Sequence, residues 1–236
     1  MNGPLIFSFF ALVHGCIALL ALILSGAMLL PALCLFVVEA VTAFDNGATV
    51  LGNRLGIGEH AQNMSRMRFL LHATCIAFLL PIYSSIGGIV AFSQFGSIIV
   101  NLISWLLVVL IGIYGYHYQY QRIHFLMPVN YFGCLRYAQS ISDSTRHPDY
   151  EYSQQELSAR AGLPVASVMT IVSALLLSLL IGWFGAFWMP FVVTSIMFIA
   201  AGLPQRGWGP LVTSCLEVIF SAGLLYSLWH VSALLV

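Results

Sequence analysis

Six ionisable side chains fall inside runs of sequence that are otherwise apolar: His14, Glu39, Asp45, His72, Glu217 and His230. A charge at membrane depth is costly, so such residues face a bundle interior, pair with one another, or serve an ion, a proton or a substrate. Their spacing groups them. Glu39, Thr42 and Asn46 recur at i, i+3 and i+7, and Thr213, Glu217 and Ser221 recur at i, i+4 and i+8. Each set is one stripe of a helix. His72 and Cys75 share a face of a third helix. At a rise of about 1.5 Å per residue, Glu39 lies about 9 Å from Asp45 along its helix, and Glu217 about 9 Å from the inner end of its own. Stripes turned inward give a polar pocket with Arg54, Arg66, Arg68 and His117 near its mouth. Buried carboxylates on separate helices can bind a cation or carry protons. They can equally act as interhelical glue, Glu39 pairing with His72 or Asp45 with Arg68.

The segment 46–68 adds chemistry beside that pocket. Gly47, Gly52, Gly56 and Gly58 are interleaved with Asn53, Arg54, Glu59, His60 and Asn63. Glycines permit close backbone approach or positive φ, which a binding loop can use; a flexible linker with Asn46-Gly47 as a plain helix end uses the same residues. The binding set expected from sequence is therefore Glu39, Asp45, Asn46, Asn53, Arg54, Arg66, Arg68, His72 and Glu217.

The elements that must position these residues are membrane helices. The chain has 236 residues, 60% hydrophobic and 7% charged, with a mean hydropathy of +0.96. A soluble domain averages roughly 25% charged residues, and too little polar surface exists here to solvate a globule. A span needs about 20 apolar residues. Seven runs meet this, at 4–24, 27–45, 69–92, 96–116, 165–181, 187–203 and 211–233. The expected fold is an all-α polytopic membrane protein: one transmembrane domain of about seven helices, three tight hairpins plus a final helix. Ser25-Gly26, Ser93 to Ser97, and Trp183 to Trp188 supply the turns, the paired tryptophans marking a membrane surface. The first run, longer than a signal peptide's core and preceded by no positive charge, reads as a retained span. Pro81 is placed to kink the third span.

All eight basic residues are arginines, and all fall in alternate connections: Arg54, Arg66 and Arg68; Arg122, Arg136, Arg146 and Arg160; and Arg206. Arginine-bearing short loops stay in the cytoplasm, which puts the N-terminus inside and suggests a bacterial inner (cytoplasmic) membrane. The one long loop, 117–163, has Tyr114, Tyr116, Tyr118 and Tyr120 around His117 as an interfacial belt. Its stretch from Phe125 to Ala138 has the mix to lie along headgroups. Ser153 to Glu156 has the form of a capping box, with Gly162-Leu163-Pro164 ending the short helix.

Several mechanisms are excluded. Without lysine there is neither a Schiff base nor a Walker A site, and no HExxH or HxxxH pair occurs. The segment 155–164 resembles the start of a helix-turn-helix, but its recognition helix would be the lipid-buried run 165–181. With a net charge of zero and no basic patch, nucleic acid is excluded as a partner. The five cysteines have no CxxC spacing and indicate no disulfide framework. His117 and His124, seven apart, share a helix face; the cofactor is left open.

The stretch from Glu39 to Asn46 is similar to the Glu…Asp-Asn motif in membrane helices of the TerC family, associated with metal-ion export. The resemblance covers eight residues. That family's second acidic motif, in a later span, has only Glu217 to stand for it here, and the family is not adopted. Function is expected to be transport of a small solute or cation. The alternatives are a membrane enzyme acting on a lipid or isoprenoid, and a scaffold subunit of a larger membrane complex. In the enzyme, Arg54, Arg66 and Arg68 would hold an anionic headgroup while Glu39, Asp45 or His72 does acid–base or metal chemistry. Membrane lipid is the expected partner, alongside a homo-oligomer or a complex subunit role.

Overall fold

The structure is a computed structural model and describes residues 2–24, 26–121, 123, 125–142, 145–159, 164–203 and 209–235. Ser25, Arg122, His124, Arg160, Gly162, Leu163 and Arg206, which carry turns, charges or a helix end in the sequence reading, lie outside them. The helices are α1 (Gly3–Ile23), α2 (Leu29–Leu55), α3 (Glu59–Cys75), α4 (Leu79–Val90), α5 (Gln94–Tyr114), α6 (Gln154–Ser158), α7 (Val165–Gly185), α8 (Met189–Ala201) and α9 (Gly209–Ala233). Two strands, β1 (Met127–Tyr131) and β2 (Cys134–Ala138), interrupt them. The protein is an all-α polytopic membrane bundle. Among the described residues six helical segments are long and apolar enough to cross a membrane, the third being continuous from Glu59 to Val90. The sixth apolar run, 187–203, holds α8, only 13 residues long.

The bundle is built around α4, in which every residue from Leu79 to Ser84 is buried. Tyr83, Ile82 and Ile86 meet Leu35 of α2, Ile111 of α5, Ile181 of α7 and Leu224 of α9 in one apolar core. The Tyr83 hydroxyl donates to Thr194 of α8 at 2.6 Å, and Thr194 donates in turn to the Pro190 carbonyl. The outer faces, such as Ile98, Leu102, Leu106 and Ile113 of α5, stay exposed and supply the lipid-facing surface.

α1 and α2 pack antiparallel. On α1 the buried stripe is Phe7, Phe10, His14, Ile17 and Ala21; on α2 it is Leu35, Val38, Glu39, Asn46 and Thr49. Both repeat at helical period, which is why two long apolar helices choose these faces.

Two sequence expectations change here. The segment 46–68 is not a loop: α2 runs on through Asn46-Gly47 to Leu55 and α3 begins at Glu59, so the connection shrinks to Gly56–Gly58. Asn46 and Thr49 bond back along α2, the Asn46 amide to the Thr42 carbonyl and Thr49 Oγ1 to the Asp45 carbonyl. Pro81 acts as expected. α3 passes through a 3-10 turn at Ile76–Phe78 before α4, at the point where proline withholds its amide from Ala77.

The second change is the segment 125–138. It folds into the β1–β2 hairpin and docks on α1 and α2. Its two-residue turn, Phe132-Gly133, has φ of 54° and 81°, the paired positive angles of a tight hairpin turn. A side chain at Gly52 would meet the Leu135 carbonyl oxygen at 1.8 Å, and one at Gly3 the Phe132 oxygen at 1.9 Å. Bare backbone at both positions lets the hairpin close down on the helices. Asn53 then clamps it. Its side-chain amide donates to the Gly133 carbonyl at 2.7 Å, and its carbonyl oxygen accepts from the Leu135 amide. Farther along, Ser153 and Glu156 form the capping box on α6.

Candidate functional site

Where the hairpin covers the bundle, a cavity of about 90 Å³ lies between α1, α2 and α9. That is room for several waters or a small ion with part of its shell. Asp45, Asn46 and Thr49 line it from α2, Thr213, Ser214 and Glu217 from α9, Phe7 from α1, and Tyr131 and Arg136 from the hairpin. Asn46, Thr213 and Glu217 arrive from the two stripes read in the sequence, and Asp45, Thr49 and Ser214 join them from neighbouring positions of the same helices.

Asp45 is held on one side. Arg68 Nε sits 2.7 Å from its Oδ1, with Arg68 almost wholly buried and Asp45 about a third exposed at 32%. The Arg68 guanidinium also lies 4.9 Å from the Phe69 ring centre. Arg136 stacks over Tyr131 at 4.8 Å, which in turn stacks on Phe7 at 5.6 Å. Burial raises the Tyr131 phenol above its ordinary value, so it remains a neutral hydrogen-bonding group. The cavity thus gathers two carboxylates, one arginine, an amide and four hydroxyls, the Tyr131 phenol among them. With Asp45 matched by Arg68, Glu217 faces the same space as Arg136.

Deeper between α1 and α2 lies a second pair. His14 Nδ1 is 2.7 Å from Glu39 Oε2, with side-chain exposures of 0% and 1%. His14 Nε2 and Glu39 Oε1 are buried without a hydrogen-bond partner. Glu217 lies within electrostatic reach of both residues and of Asp45 and Arg136, which connects the pair to the cavity.

The sequence-expected set divides accordingly. Asp45, Asn46 and Glu217 line the cavity, and Arg68 joins through its bond to Asp45. The expected pairing of Glu39 with His72 is replaced by Glu39 with His14, because α1, not α3, lies against that face of α2. His72 is half-buried and does not line the cavity. Arg54 and Arg66 are exposed, as is His117, which bonds to Gln121 at 3.0 Å. Asn53 holds the hairpin rather than a ligand.

Two contributors were missed. Arg136 and Tyr131 reach the cavity only because the hairpin folds back, and no local pattern announces that. His14 was legible. It keeps phase with Phe7, Phe10 and Ile17, and it stands 12 residues before Gly26 where Glu39 stands 13 after it. Residues equidistant from a tight turn meet across an antiparallel hairpin. Phe7 and Asn46, one further step out, do the same at the cavity.

Among the described residues no group of three or more His, Cys, Asp and Glu side chains is placed to hold a metal ion. No family model, no curated protein and no solved structure matches this chain.

Proposed function

We propose that this chain translocates a small cation or small solute across a membrane, with the Asp45–Glu217 cavity as its binding site. The observation that carries the reading is the pairing of two carboxylates from different helices across one small polar cavity. The deeper His14–Glu39 pair extends the line of ionisable groups toward the bundle centre. Charged groups inside membrane spans mark ion and proton pathways by default. The arginine distribution supports an orientation in which this end is cytoplasmic, with the N-terminus inside, as in a bacterial inner membrane. The six long apolar helices supply the lipid contact. Arg54 and Arg66, exposed at the same end, favour a second reading: an enzyme drawing an anionic lipid or isoprenoid headgroup to the cavity.

Flux into proteoliposomes under imposed cation, proton or solute gradients tests the proposal. Glu217→Gln keeps the shape and removes the charge, so flux should fall about tenfold or more while the melting temperature in detergent holds. No flux from the wild-type protein under any imposed gradient removes the transport reading and leaves the enzyme or scaffold.

A further inference from the structure

We infer that His14 and Glu39 form a proton-binding site midway through the bundle, loaded from the Asp45–Glu217 cavity. His14 is 11 residues from the start of α1 and nine from its end, about 16 Å and 13 Å along the axis, so the pair sits near the membrane midplane. The proton is the ligand because of what the pair holds and what it leaves open. The bond between Nδ1 and Oε2 at 2.7 Å requires one hydrogen between two atoms that otherwise present lone pairs. With that hydrogen on Nδ1 and Nε2 bare, the pair is imidazole and carboxylate, with net charge minus one. A second proton on Nε2 gives imidazolium and carboxylate; on Oε1 it gives imidazole and carboxylic acid. Either product is neutral overall, and only an N–H or O–H bond forms. Nε2 and Oε1 are buried and lack hydrogen-bond partners among the described residues. A pair serving only as glue needs the inner bond alone.

The surroundings set the balance. Glu217 on α9 and Asp45 on α2 are the acidic groups nearest the pair along the way to the cavity. Arg68 on α3 is spent on Asp45, His72 stands one turn further along α3, and Arg136 belongs to the hairpin. α4 offers Tyr83, which bonds to Thr194; α7 has no ionisable side chain. Among the described residues the outer atoms of His14 and Glu39 meet no cation, so the unloaded pair is a net anion in low dielectric, and proton release needs the polar groups of the cavity. The role of the pair in transport rests on the proposal above. Proton binding itself can be read without any gradient.

The test is infrared difference spectroscopy on the full chain in detergent, titrated with pH. Expected is a protonated-carboxyl or imidazolium signal that titrates, disappears in Glu39→Gln, shifts in His14→Gln and survives in Cys34→Ala. The double variant His14→Gln with Glu39→Gln keeps both shapes and removes both charges, so it remains testable if a single variant fails to fold. A titrating signal that persists in the double variant overturns the assignment, as does a wild type with no titrating group of either kind at this pair. Proteoliposomes separate the two claims. Titration without flux keeps the proton site and removes transport, whereas flux with a silent pair does the reverse.

Discussion

Two buried ion pairs stand about a turn and a half apart on α2, and they are built differently. Asp45–Arg68 lies at the arginine-bearing end, with Asp45 about a third exposed and Arg68 resting on Phe69. Water and an aromatic face absorb what the pair does not satisfy. His14–Glu39 is sealed, and two of its atoms have no partner. A partly wetted pair is screened and inexpensive to lose, whereas losing one member of a sealed pair strands the other. Closeness alone does not distinguish them, for both bonds are 2.7 Å long. The surroundings decide which pair is a staple and which can change its protonation.

The largest effect should come from Glu39→Leu, which leaves His14 buried against an apolar neighbour. We expect a loss of about 3 kcal/mol in detergent, read as a fall in melting temperature. His14→Leu added to it should restore part of the loss. An unchanged melting temperature for the single variant would break the comparison.

Gly52→Ala should follow, at roughly 2 kcal/mol, because its new methyl group would occupy the position of the Leu135 carbonyl. The hairpin should lift, taking Arg136 and Tyr131 off the Asp45 side while His14–Glu39 stays intact. Cys134 reports this directly. It is fully buried, and burial pushes its thiol up to about 11, so it should resist alkylation in the wild type and react in Gly52→Ala. Labelling in a variant retaining only Cys134 measures the difference.

Asp45→Asn should cost less, about 1 kcal/mol, since solvent screens a partly exposed pair. A double-mutant cycle with Arg68→Gln sharpens the comparison: coupling larger than that of His14 with Glu39 would reverse the ranking.

The smallest effect belongs to the capping box on α6. Hydrogen bonds from the Ser153 backbone hold Glu156 below the usual carboxylate range. A carboxyl depressed in the folded state contributes order above its unfolded value and loses it as pH falls through the folded value. α6 should therefore fray only in acid below the ordinary glutamate range, with neither ion pair affected. Hydrogen exchange of the Glu156 amide follows it.

How much could be read from the sequence depended on how local the cause was. The apolar runs, the turn at Ser93, the Ser153 capping box and the stripe from Glu39 to Asn46 are all set by residues within two turns of one another. The Asp45–Arg68 pair was among the pairings read from sequence because both residues flank one short connection. Glu39 was matched to the wrong histidine because depth was compared without asking which helix lay alongside. The hairpin was missed for a different reason. Its strands are only five residues each, and what stabilises them is Gly3, Gly52 and Asn53, about 80 residues or more away in the chain for Asn53 and its partners. Glycines that read as loop formers were the floor of a docking site.

α8 bears on the surrounding lipid as well as on the bundle. Its 13 residues rise about 20 Å against a hydrocarbon thickness of roughly 30 Å. Trp183 and Trp188 anchor one end at the headgroups, so the shortfall falls at the other. A bilayer meeting this side must thin or draw in flanking polar groups, each at a modest cost per ångström. Lengthening the acyl chains of the host lipid should therefore strain the α8–α9 side first, and stability measured across a series of chain lengths should peak in the thinner membranes. α8 would then act as a gauge of bilayer thickness.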